Sequence, residues 1–313
     1  MKICVLGAGA LGCAIGGVLT EAGHEVWLIN RNTAQVEAMS KRGLVLRSDG
    51  LDRTVRVRVA TTAAGVSPAS GPADLLLVLV KSFHTAEAMH SALGLLGPET
   101  VVLSLQNGLG HVDILAGIVG GERVLAGKTY AGGTQLAPGY VEAGTRGKRT
   151  LIGEPAGGLS ARATAIASVF SAAGLDTTVS DNIMGVAWDK LLINVATGAL
   201  SAITRLTYGG LYSVPEVEAC ALAAVAEAMA VARASGVTLS IDNPAQAWQM
   251  ASAGLPYEFK ASMLQSLEKG SVTEVDYING AVVRQGALCG VPTPVNQTLV
   301  AAIKGIEKNL SLS

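Results

Sequence analysis

The stretch MKICVLGAGALGCAIGGVLTEAGHEVWLINR, residues 1–31, decides the fold of this chain. Its apolar runs at residues 2–6 and 25–29 are typical of strands, and residues 13–21 between them have helical character. The sequence GAGALG at residues 7–12 separates the first strand from the helix. A G-x-G-x-x-G sequence between a strand and a helix is typical of the βαβ unit that binds dinucleotides.

Each glycine of this loop has a physical role in the predicted site. Gly7 permits a tight turn, Gly9 lets a pyrophosphate approach the backbone, and Gly12 lets the helix pack against the strand. The helix N-terminus adds free N–H groups and the positive end of the helix dipole. The predicted cofactor-binding residues of the loop are Gly7, Ala8, Gly9, Ala10, Leu11 and Gly12. The alternative is a glycine-rich turn without a ligand.

The end of the second strand indicates which dinucleotide binds. An NAD site usually has Asp or Glu there for the ribose 2′-OH, whereas an Arg suits a 2′-phosphate. This chain has Asn30-Arg31-Asn32 and no acidic residue before Glu37. Arg31 therefore predicts NADP(H), with a solvated surface arginine as the alternative.

Composition excludes several classes of protein. The chain has 313 residues, a formal net charge of −1 and 15% charged residues, which gives no basic field for nucleic acid. No uncharged apolar run reaches membrane-spanning length, and the first strand follows Met1 too closely for a signal peptide. The cysteines have no zinc-ligand spacing, so we expect no metal and reduced, buried thiols in a cytoplasmic protein. The four cysteines are Cys4, Cys13, Cys220 and Cys289.

The chain changes character near residue 180. Before it, strands alternate with helices, which predicts a mostly parallel sheet; after it, the periodicity is almost entirely helical. The predicted fold class is α/β, with an N-terminal Rossmann dinucleotide-binding domain (residues 1–182) and an all-α C-terminal domain (residues 183–313). Among the local predictions are a hairpin pairing residues 44–46 with 55–59, and helices over 257–269 and from a T-x-x-D start at Thr273 to Gly290.

Two polar residues directly follow predicted strands. Lys81 follows the apolar run 74–80, and Asn107 follows the run 101–105. In an open parallel sheet, ligands bind at the carboxyl ends of the strands, so both residues are expected at the same edge as the glycine loop. Turns also commonly contain Lys and Asn, and that alternative stays open.

The segment WDKLLIN at residues 188–194 places two polar side chains on one helix face. Lys190 and Asn194 are one turn apart, and their neighbours are apolar. A partly buried lysine has a lowered pKa, which suits proton donation to a carbonyl oxygen. The alternative is a lysine that extends to the surface beside a satisfied asparagine.

Ser262 and Glu274 are further candidates. Ser262 lies in a helical segment, and Glu274 is placed at a predicted helix N-terminus, where a carboxylate is stabilised in its charged form. Such a carboxylate is suited to orient a hydroxyl, although it also simply complements the helix dipole.

These motifs occur in an order that resembles the ketopantoate reductase (2-dehydropantoate 2-reductase) family. The resemblance covers nearly the whole chain and includes GAGALG, Arg31, VLVKSFHT, LQNGLG, WDKLLIN, SMLQSLEKGSVTEVDYINGAVV and GVPTPVN. It implies NADPH-dependent reduction of 2-dehydropantoate to (R)-pantoate, on the route to pantothenate, in an active site between the two domains. By position it implies that Lys190 and Glu274 are catalytic, that Asn107, Asn194 and Ser262 bind the substrate, and that Lys81 and Asn107 bind the cofactor.

One position departs from the family. Members often carry a second Asn one helical turn after the first, where this chain has Gly198. The missing amide keeps open a different branched or aromatic 2-keto acid as the substrate. A non-catalytic NADP-binding sensor is the alternative outside enzymes. Alanine-rich helices fit either a homodimer face or a core.

Overall fold

The computed structural model describes residues 1–67 and 71–310. The chain divides into two compact units, Met1–Gln106 with His111–Ile183, and Asn107–Gly110 with Met184–Ser313. The short segment Asn107–Gly110 follows a strand of the first unit, yet it packs with the second. Its backbone explains why: the N–H of Leu109 donates to the carbonyl oxygen of Tyr277 at 2.9 Å.

The strands belong to the first unit. In chain order, the described residues form β1 (Lys2–Leu6), β2 (Glu25–Ile29), β3 (Leu44–Ser48), β4 (Leu51–Val55), β5 (Arg58–Ala60), β6 (Ala73–Val78), β7 (Leu96–Ser104), β8 (Val124–Thr129), β9 (Gly132–Ala137), β10 (Tyr140–Gly144), β11 (Thr150–Gly153) and β12 (Thr177–Val179). Eight of these described strands form one sheet in the order β12-β11-β8-β7-β6-β1-β2-β5. The predicted mostly parallel sheet is confirmed, with β8 and β11 antiparallel.

Strand β1 lies inside this sheet and is buried on both faces. Its side chains alternate, so that Ile3 and Val5 join one hydrophobic core while Cys4 and Leu6 join another. Helices cover both faces, as the unbroken apolar runs predict. They are α1 (Ala10–Glu21), α2 (Thr33–Arg42), α3 (Thr85–Ser91), α4 (His111–Val119) and α5 (Ala161–Ala172). Because β2 and β6 flank β1 on opposite sides, the strand order reverses at the glycine loop.

A second sheet, β4-β3-β10-β9, was not expected from the sequence. The predicted hairpin exists, with left-handed Asp49 and Gly50 at its turn, but its second strand is β4, not residues 55–59. Residues 58–60 instead pair with β2 in the main sheet as β5. Strand β4 contains three consecutive polar residues, Asp52, Arg53 and Thr54. It therefore lacks the alternation of apolar and polar residues from which a strand is predicted.

The second unit is helical, as predicted. Its described helices are α6 (Ile183–Thr204), α7 (Tyr208–Leu211), α8 (Pro215–Ala234), α9 (Pro244–Ser252), α10 (Ser262–Glu268), α11 (Asn279–Cys289) and α12 (Pro294–Leu310). The alanines of α8 at positions 221, 224, 228 and 232 lie in the core of this unit. By length and composition α6 is the one described helix apolar enough to cross a membrane, but most of it is buried inside the protein, as in a core helix.

Two predicted helices have different bounds. The helix expected over 257–269 is α10, which begins at Ser262, because the carbonyl oxygens of Tyr257 and Phe259 accept from the first-turn N–H groups of α7. The helix expected from Thr273 begins at Asn279, after a 3-10 turn at Val275–Tyr277. It ends at Gly290, as predicted, which has the left-handed conformation.

All four cysteines are free thiols. Cys4 and Cys13 are buried as expected, and burial raises the pKa of Cys4 to about 11 and that of Cys13 to about 12. Cys220 and Cys289 are only half-buried, in contrast to the prediction. The two buried thiols are therefore protonated near neutral pH and are poor nucleophiles.

Candidate active site and cofactor loop

The glycine loop has the geometry of a phosphate cradle. Gly7 has φ +99°, and a Cβ there would collide with the backbone nitrogen of Val80. A Cβ on Gly12 would collide with the carbonyl oxygen of Gly7, so the first turn of α1 packs directly on the loop. Among the described residues, no atom lies within 4 Å of a Cβ at Gly9, and no side chain caps α1 there. An open backbone before an uncapped helix N-terminus fits a pyrophosphate.

The residues that follow β2 are fixed to this loop. The N–H groups of Gly7 and Ala8 donate to the carbonyl oxygen of Ile29, at 3.1 and 2.9 Å. The side-chain amide of Asn30 donates to the carbonyl oxygen of Ala8 at 2.6 Å. These bonds hold Arg31, the next residue, at the edge of the sheet where the glycine loop begins.

Arg31 forms an ion pair at this edge. Its Nη1 lies 3.0 Å from both carboxylate oxygens of Glu87, and Nδ1 of His84 lies 3.2 Å from Oε2 of the same carboxylate. The sequence around Arg31 offers no acidic residue before Glu37, so reading along the chain missed this partner. The acidic group beside Arg31 therefore comes from α3 and not from the residues that follow β2.

The expected edge residue Lys81 is exposed and precedes a 3-10 turn at Ser82–His84. The end of β7 is joined to the same turn by Gln106, whose amide donates to the carbonyl oxygen of Val80 at 2.9 Å and to Oγ1 of Thr85 at 2.8 Å. Buried Lys128 donates to the carbonyl oxygen of Gln106 at 2.6 Å. This network fixes the chain immediately before Asn107, and sequence reasoning did not identify it.

Asn107 is half-buried and belongs to the second unit, whereas Lys81 belongs to the first. The adjacent Gly108 has φ +82°, and a Cβ there would collide with the carbonyl oxygen of Tyr277. Gly108 is thus required for close packing on the second unit.

Helix α6 presents Lys190 and Asn194 on one face, one turn apart, and both are half-buried. Burial lowers the pKa of the Lys190 ammonium from its usual 10.5 to about 8. The Asn194 amide has no hydrogen-bond partner among residues 1–67 and 71–310. A half-buried amide without a protein partner is suited to a ligand.

Asp189 anchors this helix beside Lys190. Its buried carboxylate accepts from the N–H of Ser240 at 3.1 and 3.2 Å, from the hydroxyl of Ser240 at 2.7 Å and from the N–H of Ile241 at 3.2 Å. The carboxylate therefore fixes α6 against the loop before α9. A buried aspartate in an apolar helix is a signal for such an anchor, but the sequence does not reveal its partners.

Ser262 is the first residue of α10 and is exposed. Its hydroxyl has no partner within the described ranges. The next residue, Met263, is buried and packs against α6 at Gly198, where a Cβ would lie 3.4 Å from Cε and 3.5 Å from Sδ of Met263. The space left by the expected second asparagine is therefore bordered by a flexible thioether.

Glu274 is buried, with 9% of its surface exposed. It precedes a 3-10 turn, and the predicted T-x-x-D cap of an α-helix is wrong. The Thr273 hydroxyl accepts from the N–H of Val275 at 3.2 Å, while Asp276 pairs with Lys304 instead. A Glu at the start of so short a turn gains less from a helix dipole than one at the start of a long α-helix.

Glu307 of α12 holds the residue before Glu274. Its Oε1 accepts from the N–H and the hydroxyl of Thr273, at 2.7 and 2.8 Å. Glu307 is itself buried, with 9% of its surface exposed. The buried backbone that carries Glu274 is therefore fixed by a second carboxylate, which no local sequence pattern indicated.

The structure groups the sequence-predicted residues by unit. The glycine loop, Arg31 and Lys81 lie in the first unit. Those in the second are Asn107, Lys190, Asn194, Ser262 and Glu274. Each of Lys190, Asn194, Ser262 and Glu274 is followed in the chain by a residue of one hydrophobic core. These core residues are Leu191, Val195, Met263 and Val275. Within the described part of the chain, no group of three His, Cys, Asp or Glu residues is arranged to hold a metal ion.

Comparisons with known proteins cover almost the whole chain. The family model described as ketopantoate reductase PanE/ApbA matches residues 3–157, and the model for its C-terminal part matches residues 182–307. A 2-dehydropantoate 2-reductase of Halobacterium salinarum is 36% identical over 97% of this chain and 98% of its own length. A solved ketopantoate reductase of Ralstonia eutropha is 37% identical with a TM-score of 0.90, covering 99% and 100%. A D-mandelate dehydrogenase solved with NADH and anilino(oxo)acetate is 26% identical, also with a TM-score of 0.90, covering 99% and 100%.

Proposed function

We propose that this chain, which belongs to the ketopantoate reductase family, reduces 2-dehydropantoate to (R)-pantoate with NADPH. The observation that carries the proposal is the face of α6 on which a half-buried Lys190 of lowered pKa lies one turn from the Asn194 amide, which has no hydrogen-bond partner among the described residues. An ammonium beside a hydrogen-bonding amide suits a substrate that combines a ketone, a carboxylate and a hydroxyl.

Lys190 acts on the ketone oxygen. As negative charge develops on that oxygen, the ammonium stabilises it and then transfers a proton to the alkoxide. A pKa of about 8 leaves most of the side chain protonated at neutral pH and still makes it a better acid than an exposed lysine. Lys190 is thus the general acid of the reduction.

The remaining residues orient the substrate. Asn194 and Ser262, whose side chains have no partner in the described ranges, hold the hydroxyl and the carboxylate. Glu274 accepts a hydrogen bond from the oxygen-bearing side of the substrate. The bonds between Thr273 and Glu307 fix the backbone that carries Glu274. Buried apolar side chains of the same core border the branched carbon chain.

Most of the cofactor-binding residues that we propose lie in the first unit. The open backbone of the glycine loop and the uncapped N-terminus of α1 support pyrophosphate binding there, and we assign Arg31 to the 2′-phosphate. Lys81 and Asn107 complete the cofactor-binding set that we propose, and we assign Asn107 to substrate binding as well. When bound, NADPH supplies the hydride that reduces the ketone carbon.

A second candidate has its own support. The Gly198–Met263 contact replaces the expected asparagine by an apolar surface, which favours a 2-keto acid with a branched or aromatic side chain. The D-mandelate dehydrogenase among the solved relatives acts on a compound of the aromatic kind. A non-catalytic NADP-binding sensor is not favoured, because it requires neither Lys190 nor Asn194.

We expect a small-molecule substrate and no nucleic-acid or membrane partner, with the reaction taking place in the cytoplasm. A homodimer stays a prediction. The alanines of α8 that suggested a dimer face lie in the core of the second unit, at positions 221, 224, 228 and 232. Sedimentation of the purified chain measures the oligomeric state directly.

A panel of 2-keto acids tests the proposed function. The purified chain is incubated with NADPH or NADH and each keto acid, and nicotinamide absorbance is followed while the product is identified by chiral chromatography. We expect the highest kcat/KM with 2-dehydropantoate and (R)-pantoate as the product. A higher kcat/KM with an aromatic keto acid supports the second candidate, and binding of NADPH without turnover of any keto acid contradicts both.

A further inference from the structure

An ion pair spans the carboxyl edge of the main sheet beside the glycine loop. Arg31 follows β2, Glu87 lies in α3, which follows β6, and β1 lies between these two strands. Nη1 of Arg31 is 3.0 Å from both oxygens of the Glu87 carboxylate. Glu87 therefore reaches the residue that follows β2 from the other side of the cofactor loop.

This position is the one at which dinucleotide sites distinguish their ligands. In the βαβ unit, a residue that follows the second strand meets the ribose 2′ position, where NAD(H) has a hydroxyl and NADP(H) a phosphate. An acidic residue there accepts from the hydroxyl, and an arginine binds the phosphate. Here both kinds of group are present, because Arg31 comes from the chain after β2 and Glu87 from α3.

We propose that Glu87 is a specificity-determining residue that limits the preference for NADP(H) created by Arg31 and enables the chain to bind NAD(H) as well. The inference rests on the proposed cofactor site, but not on the identity of the keto acid. It assigns to Glu87 the role that an acidic residue at the end of β2 has in an NAD site.

Charge determines the direction of the effect. The Glu87 carboxylate occupies Nη1 of Arg31, and among the described residues Nε and Nη2 have no partner. A 2′-phosphate that binds those two nitrogens lies close to the Glu87 carboxylate, and two negative groups at that separation repel each other. A 2′-hydroxyl meets no such repulsion and has a carboxylate to which it donates.

The carboxylate is held in place on both of its oxygens. Oε1 and Oε2 accept from Arg31, and Nδ1 of His84 lies 3.2 Å from Oε2. The side chains of Arg31 and Glu87 are 61% and 63% exposed, so water and salt weaken the pair and it contributes little to stability. Removing its charge should therefore change ligand preference and leave the fold intact.

Direct binding measurements test the inference without turnover. Dissociation constants for NADPH and NADH are obtained by fluorescence titration of the full chain, its Glu87→Gln variant and an Asp49→Asn control. Asp49, in the turn between β3 and β4, forms an exposed pair with Arg146, so its variant removes the same charge elsewhere on the first unit. Titrations with 2′,5′-ADP and 5′-ADP repeat the comparison without the nicotinamide.

We expect the unmodified chain to bind NADH within about tenfold of NADPH, and Glu87→Gln to tighten NADPH by about threefold to tenfold while it weakens NADH. The ADP fragments should follow the same order, and the ratio should stay unchanged in Asp49→Asn. The inference is overturned if Glu87→Gln leaves the ratio of the two constants unchanged, or if the control shifts it equally. It is also overturned if the unmodified chain binds neither dinucleotide, whereas failure of every keto acid to react leaves these binding results valid.

Discussion

Gly198 of α6 lies directly against the thioether of Met263: a Cβ at position 198 would be 3.4 Å from Cε and 3.5 Å from Sδ. These are ordinary van der Waals separations, so a methyl group fits, and a larger side chain displaces only the flexible end of a methionine. The contact lies one helical turn after Asn194 and one residue after Ser262. It therefore borders the place where we expect the substrate's carbon chain.

Gly198→Asn should shift the substrate preference toward 2-dehydropantoate. The added amide can bond to the substrate hydroxyl, so kcat/KM for 2-dehydropantoate relative to 3,3-dimethyl-2-oxobutanoate, which lacks that hydroxyl, should rise about fivefold. Steady-state kinetics with both substrates measure the ratio. Gly198→Ala is the matched control, since it adds a methyl group without an amide. An equal change in the control would mean that helix stiffening or volume, not the amide, sets the preference.

The rate of reduction should depend on the protonation of Lys190. Because burial lowers the pKa of this ammonium to about 8, the proton donor is lost as the pH rises through that value. The rate of reduction at saturating substrate should then fall about tenfold per pH unit above it, while the reverse oxidation, which needs the neutral amine, should rise. In Lys190→Arg the guanidinium stays charged, so this alkaline decline should disappear whatever activity remains. An unchanged decline in the arginine variant would assign the titration to another group.

Glu307 should influence catalysis through the backbone that carries Glu274. Glu307→Ala removes the acceptor of the Thr273 N–H and hydroxyl, which should lower the free energy of unfolding by about 1–3 kcal/mol. A displaced Glu274 should also lower kcat by a larger factor than it changes KM for NADPH. Glu268→Ala, which removes an exposed pair with Lys260 in the same unit, serves as the control. A loss of stability with unaltered kcat would limit Glu307 to a structural role.

Asp189→Asn should destabilise the helix that carries Lys190. The carboxylate accepts from the N–H groups of Ser240 and Ile241 and from a hydroxyl, and an amide group presents a donor where acceptors are needed. Charge-assisted bonds of this kind contribute about 1.5–3 kcal/mol each, so the urea midpoint should fall clearly. Asp242→Asn, at an exposed position close to Ser240, should leave the midpoint nearly unchanged.

The main sheet followed from the sequence because buried parallel strands appear as unbroken apolar runs, as in residues 3–6 and 75–78. The second sheet did not, since strand β9 is exposed along its whole length and has no alternation of apolar and polar residues. Such strands have no hydrophobic periodicity from which to recognise them.

The candidate site also has one part that the sequence predicts and another that only the folded chain reveals. The glycine loop and the Lys190–Asn194 pair are local patterns, so their spacing in the sequence was sufficient to predict one loop before a helix and one shared helix face. The residues that hold the site act across long separations: Arg31 and Glu87 are 56 positions apart, Asp189 and Ser240 are 51, and Thr273 and Glu307 are 34. No helical or strand periodicity connects residues so distant, and only the folded chain brings them together.

Comparison of Lys190→Ala with the unmodified chain tests the central claim most directly. The measurement is kcat for NADPH oxidation with 2-dehydropantoate, with Lys269→Ala, an exposed lysine of the same unit, as the control. Loss of the proton donor should lower kcat by at least about a hundredfold, while the dissociation constant of NADPH and the control's kcat stay unchanged. A kcat within about threefold of the unmodified chain would contradict the assignment of Lys190 as the general acid.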